Sequence, residues 1–421
     1  MQGLLDELRW RGLLADATPG LPDRLAKGSI TGYAGFDPTA RSLQIGNLVP
    51  VMLLAHLQRA GGKPLLVLGG GTGLIGDPSG KSTERPLLDQ DAVDENVARQ
   101  RAQFARFLDF GAGPRDAEMV DNAEWLRPTL LIPFLRDVGK HFTVSYMLQK
   151  ESVKSRLQEG ISYTEFSYML LQAYDFLHLF RTRRCELQVG GLDQWGNITA
   201  GTELIRRVEA GEAHGLAAPL VTTATGAKFG KTEGGAVWLD PDMTSPYKLY
   251  QFCVNVDDRD VESYLKIFTF LSSEEIAALM ASHGRDPGAR VPHEALARDF
   301  TARAHGAATA ERVRQASRVM FGAIDPREAD ADTWRTLARE IPHGPLRDGF
   351  DAPVPAIDLV ARSSLVSSKG EARRLLSQGG VSLNGRTLAP DARVGPDDLL
   401  AGGYLWLRRG KKSDFIFTTA P

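Results

Sequence analysis

The chain has 421 residues, 43% of them hydrophobic and 24% charged, with a formal net charge of −2, which is the balance of a globular protein of two or three domains and excludes disordered and fibrous classes. No apolar run approaches the roughly 18 residues of a membrane helix, and the first twenty residues carry acids among their leucines without a small-residue cleavage site, so a cytoplasmic protein is expected. Cys185 and Cys253 stand far apart without further ligands at metal-binding spacing, which predicts reduced core thiols and no metal site.

In chain order, the strand TGYAGF (31–36) leads into SLQIGNLVP (42–50), where Asn47 is expected to cap a helix and Pro50 to occupy its first turn. Gly46 at that helix start gives a second reading, an anion site made of free N–H groups and the positive end of the dipole. The strand PLLVLGG (64–70) precedes the glycine-rich GGGTGLIGDPSGKS (69–82) and the helix DAVDENVARQRAQFARFLDFG (91–111). Gly71, Gly73 and Gly76 fit G-x-G-x-x-G, but no second strand ends in an acid about 20 residues on; GKS mimics a phosphate loop, but Ile75 stands where its first glycine belongs. A flexible turn leaves Asp77, Lys81 and Arg85 unexplained, one acid and two bases at the mouth of the sheet.

The strand AEMVDN (117–122) is followed by helices, among them YTEFSYMLLQAYDFLHLF (163–180). Tyr168, Gln172 and Asp175 fall on one face of it, either as a core hydrogen-bond network or as recognition of a small zwitterion or phenol. The strand CELQVGG (185–191) ends in GGLDQWGN (190–197), a strand-to-helix turn whose Asp193 and Gln194 suit ribose hydroxyls. After the helix 193–211 come a strand PLVTT (219–223) and the loop ATGAKFGKTEGG (224–235), whose Lys228 and Lys231 are either solvated or able to swing onto a polyphosphate.

This alternation predicts an α/β fold: a Rossmann-like, doubly wound parallel sheet over residues 1–244, then a helical domain over 245–340. The Pro/Gly-rich stretch at 341–355 reads as a linker. Residues 356–421 form a small α+β module with ten Lys/Arg against six Asp/Glu, basic against an acidic body.

Five of these motifs, in this order and spacing, resemble bacterial tyrosyl-tRNA synthetases of class I: YAGFDPTARSLQIGNL, GGGTGLIGDPSGK, SYMLLQAYDF, GGLDQWGN and KFGKT. The tail SSKGEARRLLSQGGVSLNGRTL is similar to the αL-type RNA-binding domain appended to them. The resemblance covers essentially the whole chain. It implies that L-tyrosine is activated with ATP and Mg2+ to tyrosyl-adenylate and then joined to the 3'-terminal adenosine of tRNA(Tyr), by a cytoplasmic homodimer with no DNA or membrane partner. Tyr33 and Asp175 would then meet the phenol, Asp77, Tyr168 and Gln172 the ammonium, and Gln194 the carbonyl. Asp37, Gly46, Asn47, Gly191 and Asp193 would position the adenylate, while Thr39, Gln44, Lys81, Arg85, Lys228 and Lys231 would take the leaving pyrophosphate. Lys369, Arg373 and Arg374 would contact RNA. The family's His-x-Gly-His signature is Gln44-Ile45-Gly46-Asn47 in this chain; a carboxamide keeps a hydrogen-bond donor and gives up a partial positive charge.

Three rival readings have their own requirements. A catalytically weakened, synthetase-derived RNA-binding or regulatory protein calls for an eroded lysine loop and amino-acid pocket, and neither is eroded. Tryptophan specificity on the same fold is opposed by Tyr33 and Asp175. A nicotinamide dehydrogenase needs the missing second-strand acid.

Overall fold

The structure, a computed structural model, describes residues 1, 3–79, 88–154, 160–232, 235–346, 350–410 and 413–419. The chain forms two compact units, one of Met1–Thr244 with Asn255–Leu296, the other of Ser245–Val254 with Ala297–Pro421. The composition-based division at 245 falls on a boundary of these units, between Thr244 and Ser245, whereas none falls at 341 or 356, and the helical stretch contributes to both units.

In the first unit, strands β1 (Asp16–Ala17), β2 (Thr31–Phe36), β3 (Lys63–Leu68), β4 (Glu118–Asp121), β5 (Cys185–Gly191) and β6 (His214–Ala218) form one sheet in the order β1-β6-β5-β2-β3-β4. All neighbours are parallel except β1 with β6. The chain runs outward from β2 through β3 to β4 and then returns to β5 on the other side of β2, so the order reverses between β2 and β5. A ligand crevice opens at the carboxyl ends of strands flanking such a reversal. Helices cover both faces, which is why Leu65 to Leu68 on β3 are all buried and the strand reads as an unbroken apolar run. The helix Leu48–Arg59 likewise buries nine of its side chains. One strand assignment shifts along the chain. β6 is HGLAA, immediately before the expected PLVTT; its small residues carry little strand propensity, and placement between β1 and β5 makes it a strand. Pro219, with no N–H to give, follows its end. The helix Val261–Phe268 ends under Arg11, whose guanidinium donates to the carbonyls of Lys266, Thr269 and Leu271 at 2.7, 2.8 and 2.9 Å.

The second unit holds β9 (His343–Pro345), β11 (Val381–Leu383), β12 (Arg386–Thr387), β14 (Tyr404–Arg409) and β15 (Ser413–Thr418) in one sheet, ordered β12-β11-β14-β15-β9, with β10 (Val354–Pro355) paired to β13 (Arg393–Val394); β7 (Lys231–Thr232) and β8 (Gly235–Ala236) are a ladder of the first unit. Alternation along β14 and β15 divides the larger sheet's faces. Leu405, Leu407, Phe415 and Phe417 pack with Leu359, Val360, Ala372 and Leu376, whereas Trp406 and Ile416 pack with Trp334 and Leu337 of the helix Ala331–Glu340. Residues 341–355, read as a linker, supply β9 and β10 to this unit.

Candidate active site

At the reversal between β2 and β5 lies a cavity of about 380 Å³, lined by residues from β2, β5, the Tyr163–Arg183 helix, the 42–50 turn and the lysine loop. Its floor is set by Asp175, which is buried and accepts hydrogen bonds from Trp125 Nε1 at 2.7 Å and Asn122 Nδ2 at 2.9 Å. Burial nevertheless pushes its carboxyl up to about 7, against the effect of the two donors. Tyr33 stands on β2, and burial, with Asp175 nearby, raises its phenol well above the ordinary value. Its hydroxyl has no hydrogen-bond partner among the described residues, and neither has Oε1 of Gln188, its register neighbour on β5. Buried polar atoms left without partners cost about 1–3 kcal/mol each, so two of them lining one cavity mark where a polar ligand group is received.

The middle of the cavity is a network of acidic and amide groups. Asp77 accepts from the Ser79 N–H at 2.9 Å and from Gln194 Nε2 at 2.7 Å. Asn197 Nδ2 donates to Gln172 Oε1 at 3.1 Å and Gln194 Oε1 at 3.2 Å. Tyr168 donates its hydroxyl to Asp37 at 2.8 Å, and burial together with Asp37 and Asp77 holds its phenol protonated. Asp193 is raised above the usual carboxylate range by desolvation at the pocket wall and by the charge of Asp77. Acceptors therefore dominate, an arrangement suited to a bound cation such as an ammonium.

At the mouth, the 42–50 turn and the lysine loop are built against each other. The Ile45 N–H donates to the Val237 carbonyl at 3.1 Å, and Gly230, at φ +81°, leaves no room for a side chain because a Cβ there would lie 2.6 Å from Ile45 Cγ1. Phe229 anchors the loop between Tyr264 and Phe268, with ring centroids 4.6 and 4.7 Å away. This leaves Lys228 and Lys231 exposed on the cavity rim with Thr39, Gln44, Gly46 and Asn47. Asn47 departs from its expected role: its Oδ1 accepts from the Gln44 N–H at 2.9 Å, and the Leu48–Arg59 helix has no side-chain cap. The short Ile45–Asn47 turn ahead of that helix gives the asparagine a nearer donor.

One cavity thus gathers Tyr33, Asp37, Thr39, Gln44, Gly46, Asn47, Asp77, Tyr168, Gln172, Asp175, Gly191, Asp193, Gln194, Lys228 and Lys231. Lys81 and Arg85 lie outside the described residues. Lys369, Arg373 and Arg374 belong to the second unit, exposed on the helix Lys369–Ser377, with Lys369 Nζ 2.8 Å from Asp358. Sequence reasoning missed Thr72, Asn122, Trp125, Gln188 and Asn197. A glutamine between the apolar Leu187 and Val189 was a signal for Gln188; the others gave none.

The fold and site define a class, and the chain belongs to it: residues 25–322 match the tRNA synthetases class I (W and Y). Residues 341–417 match the tyrosine–tRNA ligase SYY-like C-terminal domain. The chain is 58% identical over 414 residues to the tyrosine–tRNA ligase of Anaeromyxobacter dehalogenans strain 2CP-1, and 49% identical over 423 residues to that of Bacteroides fragilis; 98% of each chain is covered in both comparisons. Among solved structures it is similar to a C-terminally truncated mitochondrial tyrosyl-tRNA synthetase of Aspergillus nidulans, with a TM-score of 0.68 at 32% identity over 75% of this chain and 93% of that one. A tryptophanyl-tRNA synthetase of Plasmodium falciparum shares the fold, with a TM-score of 0.53 at 11% identity over 73% of this chain and 84% of that one.

Proposed function

We propose that the chain is a tyrosine–tRNA ligase, an enzyme that activates L-tyrosine with ATP and transfers it to the terminal adenosine of tRNA(Tyr). The observation that carries the choice of amino acid is the pair at the cavity floor, the Tyr33 hydroxyl and the buried Asp175 carboxylate, which offers a phenol both a donor and an acceptor. Asp77, Tyr168 and Gln172 hold the substrate ammonium and Gln194 its carbonyl end. A carboxylate oxygen then attacks the α-phosphorus in line, the α–β bridging P–O bond breaks, and pyrophosphate leaves past Thr39, Gln44, Lys81, Arg85, Lys228 and Lys231. The tRNA ribose hydroxyl next attacks the acyl carbonyl and releases AMP. Nothing becomes bonded to the protein, so orientation and charge neutralisation supply the acceleration.

Asp37, Gly46, Asn47, Gly191 and Asp193 seat the nucleotide. Magnesium enters as part of it, since Mg2+ binds through phosphates and retained waters more readily than in protein cages; no group of three His, Cys, Asp or Glu among the described residues is arranged to hold a cation. Lys369, Arg373 and Arg374 present charge to tRNA. The exposed apolar side chains Leu130, Leu131, Ile132, Val144 and Tyr163 of the first unit support a homodimer, whose stoichiometry sedimentation equilibrium reads. The site of action is the cytoplasm, with translation.

The test is ATP–pyrophosphate exchange with each of the twenty amino acids. Exchange should depend on tyrosine and be lost largely in Asp175→Ala. Exchange with tryptophan in place of tyrosine, or with no amino acid, would instead favour one of the rival readings.

A further inference from the structure

Between the two ends of the cavity runs a hydrogen-bonded path that the roles above do not use. Asn122 reaches Asp175 through Nδ2 at 2.9 Å and, through the same nitrogen, Thr72 Oγ1 at 2.9 Å. Its Oδ1 accepts the backbone N–H of Gly71 at 2.7 Å and of Thr72 at 3.4 Å. Thr72 Oγ1 lies 2.7 Å from Asp37 Oδ1, and Tyr168 donates to the other oxygen of the same carboxylate. Thr72, Asn122 and Asp175 are each at most 3% exposed.

The protons on this path have one arrangement. Backbone N–H groups can only donate, so the Asn122 atom facing Gly71 and Thr72 is the oxygen, and both amide hydrogens point the other way. One goes to Asp175 and one to the Thr72 hydroxyl. That hydroxyl, already accepting, spends its single proton on Asp37. The backbone was shaped for this bond: a Cβ on Gly69 would lie 2.2 Å from Asp37 Oδ1 and 2.7 Å from Thr72 Oγ1, so only a hydrogen fits beneath the pair.

We propose that Thr72 is a positioning residue, joined through Asn122 to the Asp175 end of the cavity, that fixes the Asp37 carboxylate on the nucleotide side. The inference rests on the ligase reading. A buried network satisfied at every member holds one geometry, and losing one donor frees the acceptor it oriented. Thr72 lines the same cavity, but its hydroxyl is bonded to Asp37 and Asn122 and not to Tyr33 or Asp175, so its loss should act on turnover through Asp37 and leave tyrosine binding alone.

The experiment compares Thr72→Val, which keeps the shape and removes the hydroxyl, with Thr72→Ser, which restores it. Tyrosine Kd is measured without ATP by equilibrium dialysis, and kcat and ATP KM in pyrophosphate exchange at saturating tyrosine. Thr72→Val should lower kcat/KM for ATP about tenfold or more while tyrosine Kd stays within about twofold, because the Asp37 carboxylate loses the hydroxyl donor on its Oδ1. Thr72→Ser should return to within about threefold of the parent. If Thr72→Val does not fold, Thr72→Ala is read in the same way. The proposal is overturned if the hydroxyl-free variant matches the parent, if serine fails to rescue, or if tyrosine binding weakens as much as turnover, which is the signature of a packing defect. A parent chain without tyrosine-dependent exchange would instead remove the ligase reading, and this inference with it.

Discussion

Asp175 accepts two hydrogen bonds and still titrates near neutrality, to about 7, because burial outweighs its donors. Above that pH it is an ionised acceptor, and a phenylalanine ring placed against it leaves a buried charge short of a donor. Below it the neutral acid tolerates the phenyl group better. The tyrosine-to-phenylalanine ratio of kcat/KM should therefore fall as pH is lowered from about 8.5 to about 6, by up to roughly tenfold per unit, and Asp175→Asn should flatten the profile. Exchange kinetics with both amino acids read this directly; a ratio independent of pH in the parent removes the titration. Stability runs the opposite way. The folded state holds this proton more tightly than the unfolded chain does, so without ligand stability declines as pH rises from about 4 through about 7. At this scale the sequence was legible where spacing along one element carried the information. Tyr168, Gln172 and Asp175 share a helical face and could be singled out. Asn122, Trp125 and Thr72 gain their meaning from partners 35 or more residues away in the chain, and no local pattern records that.

Among the elements, the lysine loop shows how a few backbone positions set the place of two charges. Gly226 and Gly230 both have positive φ, +83° and +81°, but a Cβ on Gly226 meets nothing within 4 Å whereas one on Gly230 meets Ile45. Gly226→Ala thus isolates left-handed strain, roughly 1–2 kcal/mol, and Gly230→Ala adds displacement of the loop from the 42–50 turn. Gly230→Ala should raise ATP KM and lower kcat by at least about tenfold beyond the effect of Gly226→Ala, with tyrosine Kd unchanged. Steady-state exchange on the two variants decides it, and equal effects would mean that contact with Ile45 does not place the lysines. Elements with a strong period were readable from sequence, among them β2, β3, β5 and the Tyr163–Arg183 helix. β1 and β6 were not, being short or made of small residues that become strands through their neighbours. The capping role of Asn47 failed for a related reason, since a preceding turn offered its side chain a closer N–H.

For the molecule as a whole, the Pro/Gly-rich stretch is more than a connector. The stretch 341–355 contributes β9, paired in parallel with β15, and the helix Ala331–Glu340 covers one face of the same sheet through Trp334. Ending the chain at Pro355 therefore does more than take away a basic RNA-binding module. It uncovers Trp334 and Leu337 and leaves β9 without its neighbour, so the remaining helices of the second unit should lose stability.

The two cysteines supply a way to watch this. Cys185 lies in β5 of the first unit and Cys253 in the helix Pro246–Val254 of the second; both are buried, and burial pushes the Cys253 thiol up to about 12 and that of Cys185 higher still. Neither thiol forms an appreciable thiolate while its unit is closed, so alkylation waits for opening. The chain therefore carries one native reporter in each unit, and peptide mapping of the singly modified product names the unit that opened first. In the chain ended at Pro355, Cys253 should label at least about tenfold faster than in the full chain, the change expected when opening becomes easier by about 1.4 kcal/mol, with Cys185 as the internal reference. Equal protection of Cys253 in both chains would mean that the helices hold together without the sheet.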